Sequence, residues 1–259
     1  MRDFYQAYVS EILPHFEEGF MHRWGFKPYT NPNEPCVFLG LFSQNDINKF
    51  LNHKSYKIVS LGGNDMQPGQ LKILKDAANP QTTFCWQAPG APSNILKQYD
   101  IPHKEIYVAM KDYSKFSPTP LGENIYVYKG LHGNRPDYFK WDEIIKPLQQ
   151  VFGEDRIIYT QFRTHKELKR DYYENCFTYV KPNLLGGATS MWELAHMGRR
   201  TLGGGFPNLN YTTNYKDIHH LIELIQEEAK YIGLVRNDVA SEAQKTFTGD
   251  EWLSLSYWL

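Results

Sequence analysis

The sequence lacks most of the short motifs that mark metal- and nucleotide-dependent enzymes. It contains no Asp-x-Asp pair, no Gly-x-Gly-x-x-Gly fingerprint, no Gly-x-x-x-x-Gly-Lys-Ser/Thr phosphate loop and no Gly-x-Ser-x-Gly nucleophile elbow. Its cysteine spacings fit no zinc pattern, and adjacent His219 and His220 would point to different sides of a helix. We therefore expect neither a metal ion nor a resident cofactor.

Cysteines are few and apolar runs are short. Cys36, Cys85 and Cys176 are odd in number, far apart in the chain and set among apolar residues, which predicts buried thiols and not a disulfide framework. No apolar run approaches the roughly 18–20 residues needed to span a bilayer, and the first residues lack the apolar core of a signal peptide. The pattern predicts a cytoplasmic protein without a membrane span.

The net charge is close to zero. With 28 Lys and Arg against 29 Asp and Glu, the chain has a formal charge of −1, which gives no support to DNA as a partner. The composition, 41% hydrophobic and 15% aromatic, is that of a globular protein. At 259 residues it allows one large domain or two small ones.

Strand-like and helix-like segments alternate along most of the chain, which predicts an α/β fold with parallel sheets. The predicted strands are 36–41, 56–61, 82–86, 106–110, 125–129, 156–160, 176–181 and 200–202. The predicted helices are 2–19, 44–52, 68–78, 92–99, 141–151, 165–174, 189–197 and 215–230. Residues 111–122 are rich in Pro and Ser and predict a linker. We therefore expect an N-terminal domain at 1–112, a C-terminal domain at 123–237 and a final helical segment, 238–259, that packs back on the N-terminal domain.

The segment 176–205 carries the strongest chemical pattern. A strand core, 176–181, is followed by Gly186 and Gly187, which let the backbone turn tightly near a ligand. Thr189 and Ser190 then open a helix whose first amides favour a phosphate group. In open α/β sheets, ligands bind at this carboxyl end of the strands.

Glu193 follows about one turn into this helix. A carboxylate there can accept hydrogen bonds from the two hydroxyls of a ribose. The alternative is structural, because Ser190-x-x-Glu193 also fits a capping box, in which the glutamate binds only backbone amides. The local pattern does not decide between the two.

The segment from Gly186 to Leu202 resembles the donor site of GT-B glycosyltransferases. The resemblance covers roughly residues 35–230 and includes the first-half stretch 35–65 and the stretch 124–145. The members that the sequence resembles are small ones, such as those of phages, large DNA viruses and bacteria. It implies two Rossmann-like domains whose parallel sheets face each other across a cleft, with a nucleotide sugar as co-substrate. It also implies that Glu193 holds the ribose and that the diphosphate is held by Gly186, Gly187, Ala188, Thr189 and Ser190.

Two further features bear on this resemblance. Many retaining members carry a second glutamate eight residues before the first, where this chain has Leu185, which argues against the retaining two-glutamate arrangement. Lys129, Arg135 and Arg163 follow predicted strands and are candidate cations for the donor diphosphate. Each taken alone also fits a solvated surface charge.

An inverting enzyme needs a base beside the acceptor hydroxyl. Asp65 follows a predicted strand of the first half and is the candidate catalytic residue. Asp46, the alternative, fits a helix N-cap better. A retaining enzyme would need neither.

These observations predict a metal-independent glycosyltransferase, a hexosyl- or pentosyltransferase. It would move a sugar from a nucleotide donor, a UDP sugar in the first instance, to a hydroxyl acceptor such as a glycan. Three alternatives stay open: a phage-type enzyme that glycosylates hydroxymethylated pyrimidines in DNA, a sugar-nucleotide epimerase, and a nucleotide-binding protein without catalysis.

Overall fold

The computed structural model describes residues 3–61, 66–86, 92–106, 108–128, 140–159, 169–182, 188–206, 208–246 and 250–259. The chain divides into two compact units. Unit 1 comprises Met1–Asp112 and Phe247–Leu259, and unit 2 comprises Tyr113–Thr246. The predicted segment 238–259 is therefore divided between the two units.

Unit 1 is built on a six-stranded parallel sheet. Its strands are β1 (Gln6–Val9), β2 (Lys27–Pro28), β3 (Cys36–Leu39), β4 (Lys57–Leu61), β5 (Thr82–Trp86) and β6 (His103–Glu105), in the order β2-β1-β3-β4-β5-β6. Its helices are α1 (Pro14–Trp24), α2 (Gln44–Asn52), α3 (Pro68–Asp76) and α4 (Pro92–Gln98). All residues of β3 and β4 are buried, as is typical of parallel strands covered on both faces.

Two predictions in unit 1 were wrong. The helix predicted over 2–19 is instead strand β1 followed by helix α1, which starts at Pro14 and ends where Gly25 takes a left-handed conformation with φ of 63°. The spacing of Phe4 and Tyr8 resembles one face of a helix, but β1 lies between β2 and β3, where both of its faces are buried. A strand of four residues is too short to show the two-residue alternation of side chains that distinguishes a strand from a helix in the sequence.

The strand predicted at 106–110 was also misplaced. The sheet ends with β6 at Glu105, whereas Ile106, Val108, Ala109 and Met110 are buried outside it. The Trp24 indole donates a hydrogen bond to the Ala109 carbonyl at 3.0 Å. These apolar residues are thus buried without pairing in the sheet, and their composition gave the wrong signal.

Unit 2 is built on a five-stranded parallel sheet. Its strands are β7 (Asn124–Val127), β8 (Ile157–Tyr159), β9 (Cys176–Lys181), β10 (Arg200–Gly203) and β11 (Thr212–Thr213), in the order β11-β10-β9-β7-β8. Its helices are α5 (Lys146–Phe152), α6 (Ala188–His196), α7 (Ile218–Ala229) and α8 (Asn237–Thr246), with π-helical turns at Trp141–Ile145 and Lys169–Tyr173. The predicted α/β fold with parallel sheets is confirmed.

In each parallel sheet, the order in which successive strands are added changes side at one point. In unit 2, β7 pairs with β8 on one side and with β9 on the other, so the connections leave in opposite directions between β7 and β9. In unit 1 the same reversal lies between β1 and β3. Open α/β sheets bind ligands outside the carboxyl ends of the strands at such points. In unit 2, α6 is the next described element after β9 in the chain.

Arg199, between α6 and β10, ties several segments of unit 2 together. The nitrogen atoms of its buried guanidinium, with five N–H donors between them, lie 2.5–3.3 Å from five backbone carbonyl oxygens and from the Thr119 hydroxyl oxygen. The carbonyls are those of Thr119, Pro120, Glu174, Cys176 and Met197. The linker, the start of β9 and the end of α6 are thereby held at fixed distances from one another.

The last described residues complete unit 1. The Asp3 amide donates to the Leu253 carbonyl at 3.2 Å, and an Asp3 carboxylate oxygen accepts from the Leu255 amide at 3.0 Å. The Trp24 and Trp252 rings meet edge to face at 5.3 Å. Among the described residues, no helix combines the length and apolar character needed to cross a membrane.

We expect Arg199→Met to lower the free energy of unfolding by about 3–5 kcal/mol, because it removes a buried charge that binds several buried carbonyls. Chemical denaturation followed by circular dichroism measures the loss. The control is Arg156→Met, since the Arg156 side chain donates to one carbonyl, that of Glu123, at 2.8 Å; its cost should stay below about 1 kcal/mol. Equal losses in the two variants would show that the carbonyl cluster has no special role.

Candidate functional site

Helix α6 begins at Ala188, which fixes the positions of its polar residues. Ser190 is the third residue of the helix and Glu193 the sixth. A capping box places the serine immediately before the helix and the glutamate at its third position. The capping interpretation of Ser190 and Glu193 is therefore wrong, and Glu193 faces another environment.

That environment is a buried hydrogen-bond cluster. The Tyr173 hydroxyl oxygen lies 2.7 Å from Glu193 Oε2 and 2.9 Å from Ser190 Oγ. Because a phenol has one proton, it donates that proton to the carboxylate and accepts from the serine. Burial, followed by the negative charge of Glu193, raises the pKa of Tyr173 well above its usual value. Tyr173 therefore stays protonated and orients the carboxylate of Glu193.

Stacked tyrosines support this cluster from the sheet. The rings of Tyr126 on β7 and Tyr179 on β9 stack at 5.0 Å with 25° between their planes. Tyr173 packs against Tyr126 at 5.9 Å. The Glu193 side chain is 1% exposed, so its position is fixed by rigid aromatic neighbours next to the reversal point of the sheet.

Lys181, the last residue of β9, is a buried charge that the sequence analysis did not select. Its side chain is 0% exposed, and burial lowers the pKa of its ammonium to about 7. Its Nζ lies 5.7 Å from the centre of the Phe206 ring. A lysine directly after the apolar run 176–180, before Pro182, was the available signal, because lysines are rare at the end of a fully buried strand.

The structure brings only some of the predicted donor residues together. Ala188, Thr189 and Ser190 form the first turn of α6, with Glu193 one turn further on. The other predicted residues lie outside the described residues, so their positions stay predictions: Asp65, Lys129, Arg135, Arg163, Gly186 and Gly187.

Asp46, the alternative base, has a structural environment in unit 1. Its carboxylate accepts hydrogen bonds from the Tyr8 and Ser10 hydroxyls at 2.5 and 2.6 Å and from the amides of Phe42 and Ser43. Burial opposes ionisation, but these donors outweigh it and lower the pKa of Asp46. Together with Ser43, Asp46 forms the capping box of α2 at its third position. The carboxylate therefore joins the ends of β1 and β3 to the start of α2.

Across the described ranges, no group of three or more His, Cys, Asp or Glu side chains is placed to hold a metal ion. Independence from metal ions stays a prediction.

Comparison with known proteins bears on the fold. No family model matches the chain, and no curated protein matches it by sequence. A sucrose-phosphate synthase from Thermosynechococcus elongatus, a GT-B glycosyltransferase, is similar in structure, with a TM-score of 0.55 and 14% sequence identity. The match covers 95% of this chain and 76% of that one. The fold is GT-B-like. At this identity the likeness shows the fold alone, so the cleft and the resemblance to phage and viral members stay predictions.

We expect Tyr173→Phe to lower the free energy of unfolding by about 1.5–3 kcal/mol, because the buried carboxylate of Glu193 loses a donor. The control is Tyr172→Phe, since the half-buried neighbour packs its ring on Tyr126; its effect should stay within about 0.5 kcal/mol. Denaturant unfolding of both variants makes the comparison. A Tyr173→Phe protein as stable as the wild type would contradict the hydrogen-bond cluster.

Proposed function

We propose that this chain is a glycosyltransferase that moves a sugar from a nucleotide-sugar donor to a hydroxyl acceptor without a metal ion. The donor binds in unit 2, at the carboxyl ends of β7 and β9, and a UDP sugar is the first candidate. The observation that carries the proposal is the oriented carboxylate of Glu193, one turn inside α6, in a GT-B-like fold.

The chemistry of Glu193 suits a ribose. A carboxylate accepts hydrogen bonds but, when ionised, donates none, so it fits a pair of neighbouring hydroxyls and repels a phosphate. Tyr173 donates a hydrogen bond to one carboxylate oxygen of Glu193. The Glu193 side chain is therefore already ordered, and less conformational entropy is lost when a ligand binds. The first turn of α6 lies on the amino-terminal side of Glu193, where the helix dipole favours the diphosphate.

The remaining groups complete the donor site. We assign the loop amides of Gly186 and Gly187, with Ala188, Thr189 and Ser190, to the diphosphate. Lys129, Arg135 and Arg163 supply positive charge to the leaving group. Glycosyl transfer needs such charge because negative charge builds on the diphosphate as the bond to the sugar breaks.

The acceptor side belongs to unit 1. We assign Asp65, four positions after the end of β4, as the base of an inverting reaction. Asp46 is not assigned this role, because its carboxylate already accepts four hydrogen bonds from β1 and the start of α2. A glycan is the acceptor class we favour, since the net charge of −1 does not favour DNA.

The donor is tested by calorimetric titration with UDP, GDP and ADP and their glucose conjugates in buffer that contains EDTA. We expect one nucleotide family to bind, with no loss on chelation. For that nucleotide, Glu193→Gln should weaken binding roughly 10- to 100-fold, because a hydrogen bond to a charged group is lost. Absence of binding by every nucleotide would refute the proposed function.

The same titration with the 2′-deoxy nucleotide separates a ribose contact from general damage. If Glu193 binds the ribose hydroxyls, the deoxy ligand binds wild type and Glu193→Gln with similar, weakened affinity. If the variant loses the same factor for both ligands, Glu193 does not contact the 2′-hydroxyl.

For catalysis, we expect Asp65→Asn to lower kcat by about 10²- to 10⁴-fold while the Kd of the nucleotide is unchanged, since the base acts on the acceptor hydroxyl alone. Turnover of the bound nucleotide sugar is measured with a panel of glycan acceptors and with hydroxymethylated DNA. Asp46→Asn is the comparison, and we expect it to lower the stability of unit 1. Unchanged kcat in Asp65→Asn would remove that residue from the mechanism.

A further inference from the structure

The carboxyl end of β9 holds a buried ammonium group that the donor site described above does not include. We propose that Lys181 is a phosphate-binding residue of the donor site, which contacts the diphosphate from the sheet face that α6 covers. This inference rests on the proposed function and adds one residue to it.

The backbone pattern places Lys181 on the same face as α6. Side chains alternate along a strand, so Lys181 shares a face of the sheet with Tyr179. Burial raises the pKa of Tyr179, and Tyr126, Tyr128 and then the charge of Glu193 on α6 contribute to the same shift. Phe206 links the same elements, because its ring lies 6.4 Å from the Trp192 ring on α6 and 5.7 Å from Lys181 Nζ.

A glycine turn packs closely on this lysine. Lys181 pairs with Gly203 at the end of β10, and Gly203, Gly204 and Gly205 all have positive φ. A Cβ at Gly204 would lie 2.9 Å from Lys181 Cδ. The turn therefore packs closely on the lysine stem at the carboxyl edge of the sheet, where ligands of this fold class bind.

A buried ammonium at this edge is costly in the free protein, because charge is removed from water. A bound diphosphate would add negative charge beside Lys181 and favour the protonated form. The pKa of about 7 in the free protein would then rise in the complex. Binding should take up a proton, and affinity should fall as the pH rises above about 7.

Among the described residues, the titratable groups on the elements around Lys181 are Tyr126, Tyr128, Tyr173, Tyr179, Glu193, His196 and Tyr215. Burial raises the pKa values of Tyr173, Tyr179 and Tyr215, so these three stay neutral near pH 7. Burial lowers the pKa of His196, so the His196 side chain is neutral at pH 7 and above. Proton uptake at about pH 8 that is present in wild type and lost in Lys181→Met therefore reports on Lys181.

The test compares wild type and Lys181→Met by calorimetry. The ligands are the bound nucleotide sugar, whose phosphates do not titrate near pH 7, its nucleoside, and inorganic pyrophosphate. We expect Lys181→Met to lose roughly 10- to 100-fold in affinity for the nucleotide sugar and for pyrophosphate, but none for the nucleoside. Titrations with the nucleotide sugar at about pH 8, in buffers of different ionisation enthalpy, should show that wild type takes up a proton on binding and that Lys181→Met does not.

The matched control is Lys57→Met in unit 1. Lys57 is also buried, and its Nζ donates to the Phe50 and His53 carbonyls at 3.1 and 2.8 Å. We expect this variant to lose stability without any change in nucleotide affinity. Lys181→Gln replaces the methionine variant if the latter does not fold.

The outcomes separate this inference from the proposed function. If the nucleotide sugar binds wild type and Lys181→Met with equal affinity and equal proton uptake, the role of Lys181 is overturned while the proposed function stands. If no nucleotide binds wild type, the proposed function fails, and the pyrophosphate titration still decides whether Lys181 binds phosphate.

Discussion

The guanidinium of Arg199 sets the geometry on which the rest of unit 2 depends. It binds carbonyls at the start of β9, at the end of α6 and in the segment that leads into β7. The chain links the carboxyl end of β9 to the start of α6, and Arg199 links the opposite ends of these two elements, which holds α6 in place against the sheet. Glu193 on α6 is thereby held beside Tyr173, on the face of the sheet that carries Tyr179 and Lys181.

Long elements with one dominant signal were predictable from the sequence. Strand β9 and helix α2 have the predicted bounds because each has a clear pattern, an unbroken buried run in one and an amphipathic period after Ser43 in the other. Strand β1 was missed because four residues cannot establish a period, and its strand state depends on pairing with β3, which is 30 positions away in the chain. The predicted strand at 106–110 failed because burial without sheet pairing produces the same composition.

The site was predictable to a smaller degree. The sequence places Glu193 one turn into a helix that follows a buried strand, and the structure agrees. It does not show that Tyr173, 20 positions earlier, donates to that carboxylate, because the contact depends on how a π-helical turn packs under α6. The burial of Lys181 likewise depends on the glycine turn after β10. Contacts between distant segments are a property of the packed fold, and a local pattern does not contain them.

The return of residues 250–259 to unit 1 also bears on the order of events during synthesis. Unit 2 is one continuous stretch, so it can fold as soon as Thr246 has left the ribosome. Unit 1 still lacks Trp252 and Leu253 at that moment, although Trp24 and Asp3 contact them in the finished protein. The contacts of Trp24 and Asp3 with Trp252 and Leu253 can therefore form only after the whole of unit 2 has been synthesised.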